Sequence, residues 1–163
     1  YKDNRSNQIN IEQIKKEQES YTAEITQYHK LNTLAEAIKT IESVGNEIDA
    51  FFSLNLSGLL DKNGTPIDAT IAMKRLSQLS KKPIIAADSY DIESGALCGV
   101  IKTGQEQGRT AAQMALDYFK GKPIAEMPIT QNRNGTRMIN VTTAERLGVM
   151  IKPAALRGTK LVQ

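Results

Sequence analysis

Two hydrophobic periods alternate along this chain, and that alternation narrows the folds open to it. Apolar residues three and four apart mark helices; short apolar runs bounded by turn residues mark strands. Leu34, Ala37, Ile38 and Ile41 keep helical spacing, as do Ala69, Ala72, Met73, Leu76 and Leu79. Between these stripes stands the run Ile48-Asp49-Ala50-Phe51-Phe52-Ser53, and beyond them Pro83-Ile84-Ile85-Ala86-Ala87. Residues 96–101 form a third apolar run, followed by a helical stripe of Ala111, Ala112, Ala115 and Phe119. Strands alternating with helices predict βαβ units with right-handed crossovers. The fold class is therefore α/β: a parallel sheet with helices on both faces.

Boundary signals sharpen this reading. Ser6 or Asn7 is expected to cap a first helix with Ile11 and Ile14 on its apolar side. Thr33-Glu36, Thr103-Glu106 and Thr142-Glu145 have the spacing of capping boxes, in which a hydroxyl and a carboxylate satisfy free amides at a helix start. Asp68 is placed to cap the helix beginning at Ala69. Gly45, Gly121 and Gly148 are read as helix stops, Gly45 in a left-handed conformation. Residues 23–28 read as a strand with Ala23, Ile25 and Gln27 on one face. Residues 127–131 and 137–140 read as strands flanking an Asn134-Gly135 hairpin turn. Gly99, Gly104 and Gly108 are read as tight-turn or close-packing positions, ahead of the alternative that Gly104 and Gly108 form an anion-binding helix start.

Composition removes several functions. With 163 residues, 40% of them hydrophobic, the chain can build one real core. The net charge of +3 comes from interspersed acids and bases, without the basic stripe that nucleic-acid binding uses. No nucleic-acid partner is expected. His29 and Cys98 stand alone as their types, so no zinc-type ligand set is expected. Cys98 has no cysteine to pair with and reads as a small buried residue. No serine sits in a strand-to-helix elbow with flanking glycines, and no phosphate-loop motif occurs. Neither catalysis nor a cofactor is expected.

What remains is a binding edge. In open α/β sheets, ligands gather outside the carboxyl ends of the strands. The candidates there are Asn32 after the 23–28 strand, Asn55 and Ser57 after the 48–53 strand, and Asp88, Ser89 and Tyr90 after the 83–87 strand. Arg5 belongs with them, in the loop before the first helix. These polar groups are expected to face one groove and hold a small molecule reversibly. No strand is expected ahead of the first helix. The central first strand of such a sheet is then expected upstream of Tyr1 or from another chain.

The second half carries a family pattern. Gly95-Ala96-Leu97 opens it, and Gly108-Arg109-Thr110-Ala111-Ala112 begins the long helix. Lys120-Gly121-Lys122-Pro123-Ile124-Ala125-Glu126-Met127-Pro128-Ile129 follows. Met138-Ile139-Asn140-Val141-Thr142-Thr143-Ala144-Glu145-Arg146-Leu147-Gly148 closes it, running on to Pro153. This series resembles the ABC transporter substrate-binding family related to tryptophan- and tyrosine-binding lipoproteins, a type I periplasmic-binding fold. Glu47-Ile48-Asp49-Ala50-Phe51-Phe52 and Lys82-Pro83-Ile84-Ile85-Ala86-Ala87-Asp88 fit the same register.

The resemblance implies that residues 1–102 are the second lobe of a bilobed binding protein lacking its first strand. Residues 103–163 would be a hinge-crossing helix and C-terminal tail. It implies a small-molecule ligand, amino-acid-like, held between this lobe and a missing first lobe. It also implies a periplasmic or otherwise extracytoplasmic location, with membrane anchoring of the full-length protein as an open alternative. The partner would be an ABC permease or, in the alternative reading, the signalling domain of a histidine kinase or diguanylate cyclase. By resemblance the helix over 105–120 packs on the first lobe. Its apolar face of Ala111, Ala112, Ala115, Leu116 and Phe119 would otherwise invite a homodimer. Two departures bear on the ligand. The family's Asp-Asn pair after the strand at 48–52 is replaced by Asn55-Leu56-Ser57-Gly58. The aromatic pair before the helix glycine is replaced by Gly104-Gln105-Glu106-Gln107.

Overall fold

The computed structural model describes residues 1–130 and 134–163. Among the described residues, seven α-helices and five strands follow one another: α1 (Arg5–Glu17), α2 (Leu34–Val44), β1 (Phe51–Ser53), α3 (Ala69–Leu79), β2 (Ile84–Ala86), α4 (Ser89–Glu93), β3 (Cys98–Ile101), α5 (Gly104–Phe119), β4 (Thr136–Asn140), α6 (Val141–Arg146), α7 (Pro153–Leu156) and β5 (Thr159–Val162). The strands form one sheet in the order β1-β2-β3-β4-β5. β1, β2 and β3 run parallel, as do β4 and β5. β4 is antiparallel to β3, a departure from an all-parallel sheet. Its first residue, Thr136, pairs with Ile101, the last residue of β3, so β4 starts where β3 ends and runs back along it. β4 and β5 thereby extend the sheet begun by residues 51–101.

Strand register explains the two faces. Ile84, Ala86, Ile101 and Met138 point to one side, where they meet Ala37 and Ile41 of α2, Ala72, Met73 and Leu76 of α3, and Ile92 of α4. Leu59, Met73 and Ile92 are fully enclosed there. Gly99 lies on the same side: a Cβ on it would stand 2.0 Å from the Ala86 carbonyl oxygen, so only glycine lets β3 approach β2. The opposite side carries a continuous row with one residue from each strand: Phe52, Ile85, Cys98, Ile139 and Leu161. Phe52 and Leu161 are exposed, as is Val100 beside them. Cys98 is half-buried, a correction to its reading as a core residue, and partial burial still pushes its thiol up. α5 contributes no buried residue, and its Leu116, Tyr118 and Phe119 stand exposed.

Several boundary expectations hold. Thr33 and Glu36 form both halves of their capping box. Asp68 caps α3 by accepting from the Thr70 amide, and Thr103 accepts from the Glu106 amide at the start of α5. Gly121 and Gly148 take positive φ. Others are corrected. Asn4 caps α1, while Asn7 lies inside the helix and is buried. Asn140 caps α6 in place of Thr142, because β4 runs directly into the helix. Gly45 stays right-handed at φ −59. Gly104 and Gly108 have open space around them, so close packing does not account for them.

Residues 23–28 form no strand. The pairing falls later, where Leu31 bridges Lys2 in parallel and its amide donates to the Tyr1 carbonyl. A single bridged residue, Lys2, therefore precedes α1; it belongs to no named strand, and α1 is the first regular element, as expected. Residues 127–130 are irregular too, and the partner of β4 is β3, not a hairpin arm. Gln131, the last residue of that expected strand, lies outside the described residues.

Candidate functional site

The loops that leave the carboxyl ends of the strands are joined by side-chain hydrogen bonds. The Tyr90 hydroxyl donates to Asp88 Oδ2 at 2.9 Å and accepts from Asn55 Nδ2 at 2.7 Å. This ties the loop after β2 to the loop after β1. Asn55 Oδ1 accepts from the Ser57 amide at 2.7 Å, a local turn that holds the Asn55 side chain toward Tyr90. Asn7 then binds the same loop from α1: its Nδ2 donates to the Asn55 carbonyl at 2.8 Å and the Lys2 carbonyl at 2.9 Å. Lys2 reaches the segment ahead of α2, donating from Nζ to Asn32 Oδ1 at 3.0 Å. The Asn32 and Thr33 amides end the run on Glu36, whose carboxyl they hold below the usual range.

The sequence-derived candidates thus divide. Asn55, Asp88 and Tyr90 form one bonded cluster, half-buried, with Asn32 linked to it through Lys2 and Asn7. Ser57 contributes its backbone amide and is exposed. Ser89 is the first residue of α4, between Asp88 and Tyr90. Arg5 is the first residue of α1 and is exposed; no bond ties its side chain to the cluster. Asn32 is exposed as well.

Three residues that sequence reasoning passed over hold this edge together or charge it. Asn7 is buried at 1% exposure and serves as its clamp, though the sequence offered it only as a helix cap. Lys2 bridges two loops. Asp91 is fully enclosed in α4, one turn below Asp88, and neither carboxylate oxygen has a hydrogen-bond partner. Burial, and after it the charge of Asp88, pushes its carboxyl up to about 7. The only signal in the sequence is an acid between Tyr90 and the core residue Ile92. Tyr90 is itself raised above the ordinary phenol range, first by burial and then by its bond to Asp88. At the rim, Asp3 and Lys30 pair at 2.9 Å. Bonds from Gln8 and then Lys30 lower the Asp3 carboxyl, and Asp3 raises Lys30.

Chemically, the cluster offers a carboxylate, a phenol and a carboxamide in series, with a lysine ammonium at its far end. Such a set has the donors and acceptors with which a polar solute can be hydrogen-bonded. Among the described residues no group of acids, histidines or cysteines is arranged to hold a metal ion. A separate hollow of about 600 Å³ lies between α1 and α5, lined by Gln13, Glu17, Lys102, Gln107, Thr110, Ala111, Met114 and Thr130. It shares no residue with the cluster, and none of its lining residues is buried.

Comparison with known proteins agrees with this architecture. The family model described as ABC transporter substrate binding protein matches residues 35–162. A curated relative, the Tyrosine-binding protein of Clostridioides difficile (strain R20291), is 28% identical over 127 residues, covering 74% of this chain and 36% of the relative. Among solved structures, the ligand-free, open form of a substrate binding protein with adhesive properties from Clostridium difficile superposes with a TM-score of 0.77 at 20% identity. It covers 100% of this chain and 52% of that one. A Streptococcus pneumonia ABC domain in complex with L-Trp superposes with a TM-score of 0.61 at 23% identity, covering 96% of this chain and 50% of that one. The chain thus spans about half the length of these solved structures and a little over a third of the curated relative. Since the family match embraces α2 through β5, this chain belongs to the family of ABC transporter substrate binding proteins.

Proposed function

We propose that the chain supplies one wall of a solute site in an extracytoplasmic binding protein that delivers a small amino-acid-like molecule to an ABC importer. The observation that carries this reading is the bonded series Asp88–Tyr90–Asn55, which joins two strand-end loops on one edge of the sheet. The named relatives favour an amino acid: one is a Tyrosine-binding protein, and another solved structure holds L-Trp. A carboxylate beside a phenol and a carboxamide suits the ammonium end of such a molecule. Asn32, Ser57, Ser89 and Arg5 would complete the wall at the rim.

In this reading residues 1–102 form most of the lobe, and residues 103–163 carry a hinge-crossing helix and tail. The exposed apolar side chains of α5 support that division, because a helix with Leu116, Tyr118 and Phe119 in solvent has a face that calls for a partner surface. No described helix is long and apolar enough to cross a membrane.

Isothermal titration of L-tyrosine and L-tryptophan into the intact protein tests the site. Asn55→Ala and Tyr90→Phe are each expected to weaken binding about five- to tenfold, the worth of one buried hydrogen bond of roughly 1 kcal/mol. Unchanged affinity in both variants would place the ligand elsewhere.

A further inference from the structure

Asp91 has no part in the hydrogen-bonded run, yet it is the most enclosed ionisable side chain near it. It shows 0% exposure, and both carboxylate oxygens lack a partner. A carboxylate left so in a protein interior is costly unless it is neutral or meets a compensating charge. Among the described residues, its surroundings offer none. On its own helix the charge felt at Asp91 is that of Asp88, while Glu93 is engaged by Lys160 at 3.2 Å. Tyr90 turns its hydroxyl to Asp88. Of the elements packed against α4, α3 carries Lys74 and Arg75, both solvent-exposed. β2 carries no ionisable group. Cys98 of β3 and Arg137 of β4 lie on the opposite face of the sheet, where Arg137 donates to the Arg157 carbonyl. Arg146 of α6 donates to the Ser80 carbonyl.

We propose that Asp91 is a proton-linked positioning residue for this edge: a cationic group seated against Asp88 draws Asp91 into its ionised form, so binding there releases a proton and tightens as the medium becomes less acidic. The ligand half of this statement rests on the function proposed above; the coupling between the two carboxyls does not. Reciprocity does the rest, because whatever eases the ionisation of Asp91 is in turn favoured by that ionisation. With Asp88 unpaired, a second negative charge one helical turn away is disfavoured. With a cation on Asp88, that repulsion is cancelled. The ligand class this selects presents a cationic amine to the carboxyl edge, and a neutral or anionic end group would bind without proton release.

Carboxyl-carbon NMR of the intact protein decides the coupling without any ligand. The Asp91 resonance, assigned by its loss in Asp91→Asn, should titrate near neutrality, and in Asp88→Asn its midpoint should move to lower pH. An unmoved midpoint in Asp88→Asn overturns the proposal, whatever the ligand is. Calorimetry with L-tyrosine at pH 6, in buffers of different ionisation enthalpy, then reads the proton count. Proton release in the wild type that is lost in Asp91→Asn supports the full linkage; L-tyrosine binding with no proton release overturns it. If L-tyrosine and L-tryptophan give no heat while Asp88→Asn does move the midpoint, the coupling stands and the amino-acid reading fails.

Discussion

Replacing Asn7 by alanine should loosen the loops at the carboxyl ends of the strands, which its side chain ties to α1. Its side-chain amide is buried and donates to two carbonyls, those of Lys2 and Asn55. Each such bond contributes about 0.5–1.5 kcal/mol net, and truncation leaves both carbonyls short of a donor, so the total loss is about 2–3 kcal/mol. For a chain of this size, a loss of about 1 kcal/mol lowers Tm by roughly 2–4 °C, so a fall of about 5–10 °C is expected. Asn7→Asp should be worse than alanine. It keeps the volume but sets a carboxylate oxygen where the donor stood, against two carbonyl oxygens. Exposed Ser6→Ala, one position earlier, should change Tm by no more than about 2 °C, which corresponds to the ±0.5 kcal/mol typical of surface sites. Urea unfolding of all three variants gives the free energies. If Asn7→Ala matched Ser6→Ala, the two bonds would not stabilise the fold, and the clamp on Asn55 would be wrong.

Other changes should be as direct. Asp91→Asn should alter how stability depends on pH. The folded carboxyl titrates near 7, above its ordinary value, so its neutral form stabilises the fold fully below about pH 4 and that advantage is lost as pH rises to 7. Wild-type stability should therefore fall by on the order of 4 kcal/mol across this window through Asp91 alone, and the asparagine variant should lack that slope in urea titrations at pH 4 and pH 8. Gly99→Ala should cost about 3 kcal/mol or more, because its methyl would collide with the Ala86 carbonyl. Gly108→Ala, inside α5 with open space around it, should add about 0.5–1 kcal/mol. Thr33→Ala should cost about 1 kcal/mol by removing one half of a complete capping box, read as a lower urea midpoint.

The sequence by itself determined whatever depends on neighbours along the chain. The stripe Ala72, Met73, Leu76 names the buried face of α3 because helical periodicity is local, and the same holds for Ala37 and Ile41 of α2. Thr33-Glu36 and Asp68 mark helix starts because their partners lie two to four residues away. The carboxyl-end rule placed Asn55, Asp88 and Tyr90 at one edge, where they are hydrogen-bonded, since a strand's direction is enough to say which loop leaves which edge. Local patterns also misled. Thr142 has capping-box spacing, but Asn140 was already positioned by β4, and the first available acceptor took the role. Residues 23–28 alternate like a strand, yet the pairing with residues 1–3 falls at Leu31.

Only the tertiary structure decided the rest, because those features depend on contacts between residues far apart in the chain. Nothing local tells that β4 starts opposite Ile101 and so runs antiparallel, or that Phe52, Ile85, Cys98, Ile139 and Leu161 line up in one row across five strands. Asn7 reads as a helix cap until its partner 48 residues away is seen. Nothing local marks Asp91 as enclosed; packing encloses it, and enclosure is what shifts its proton affinity.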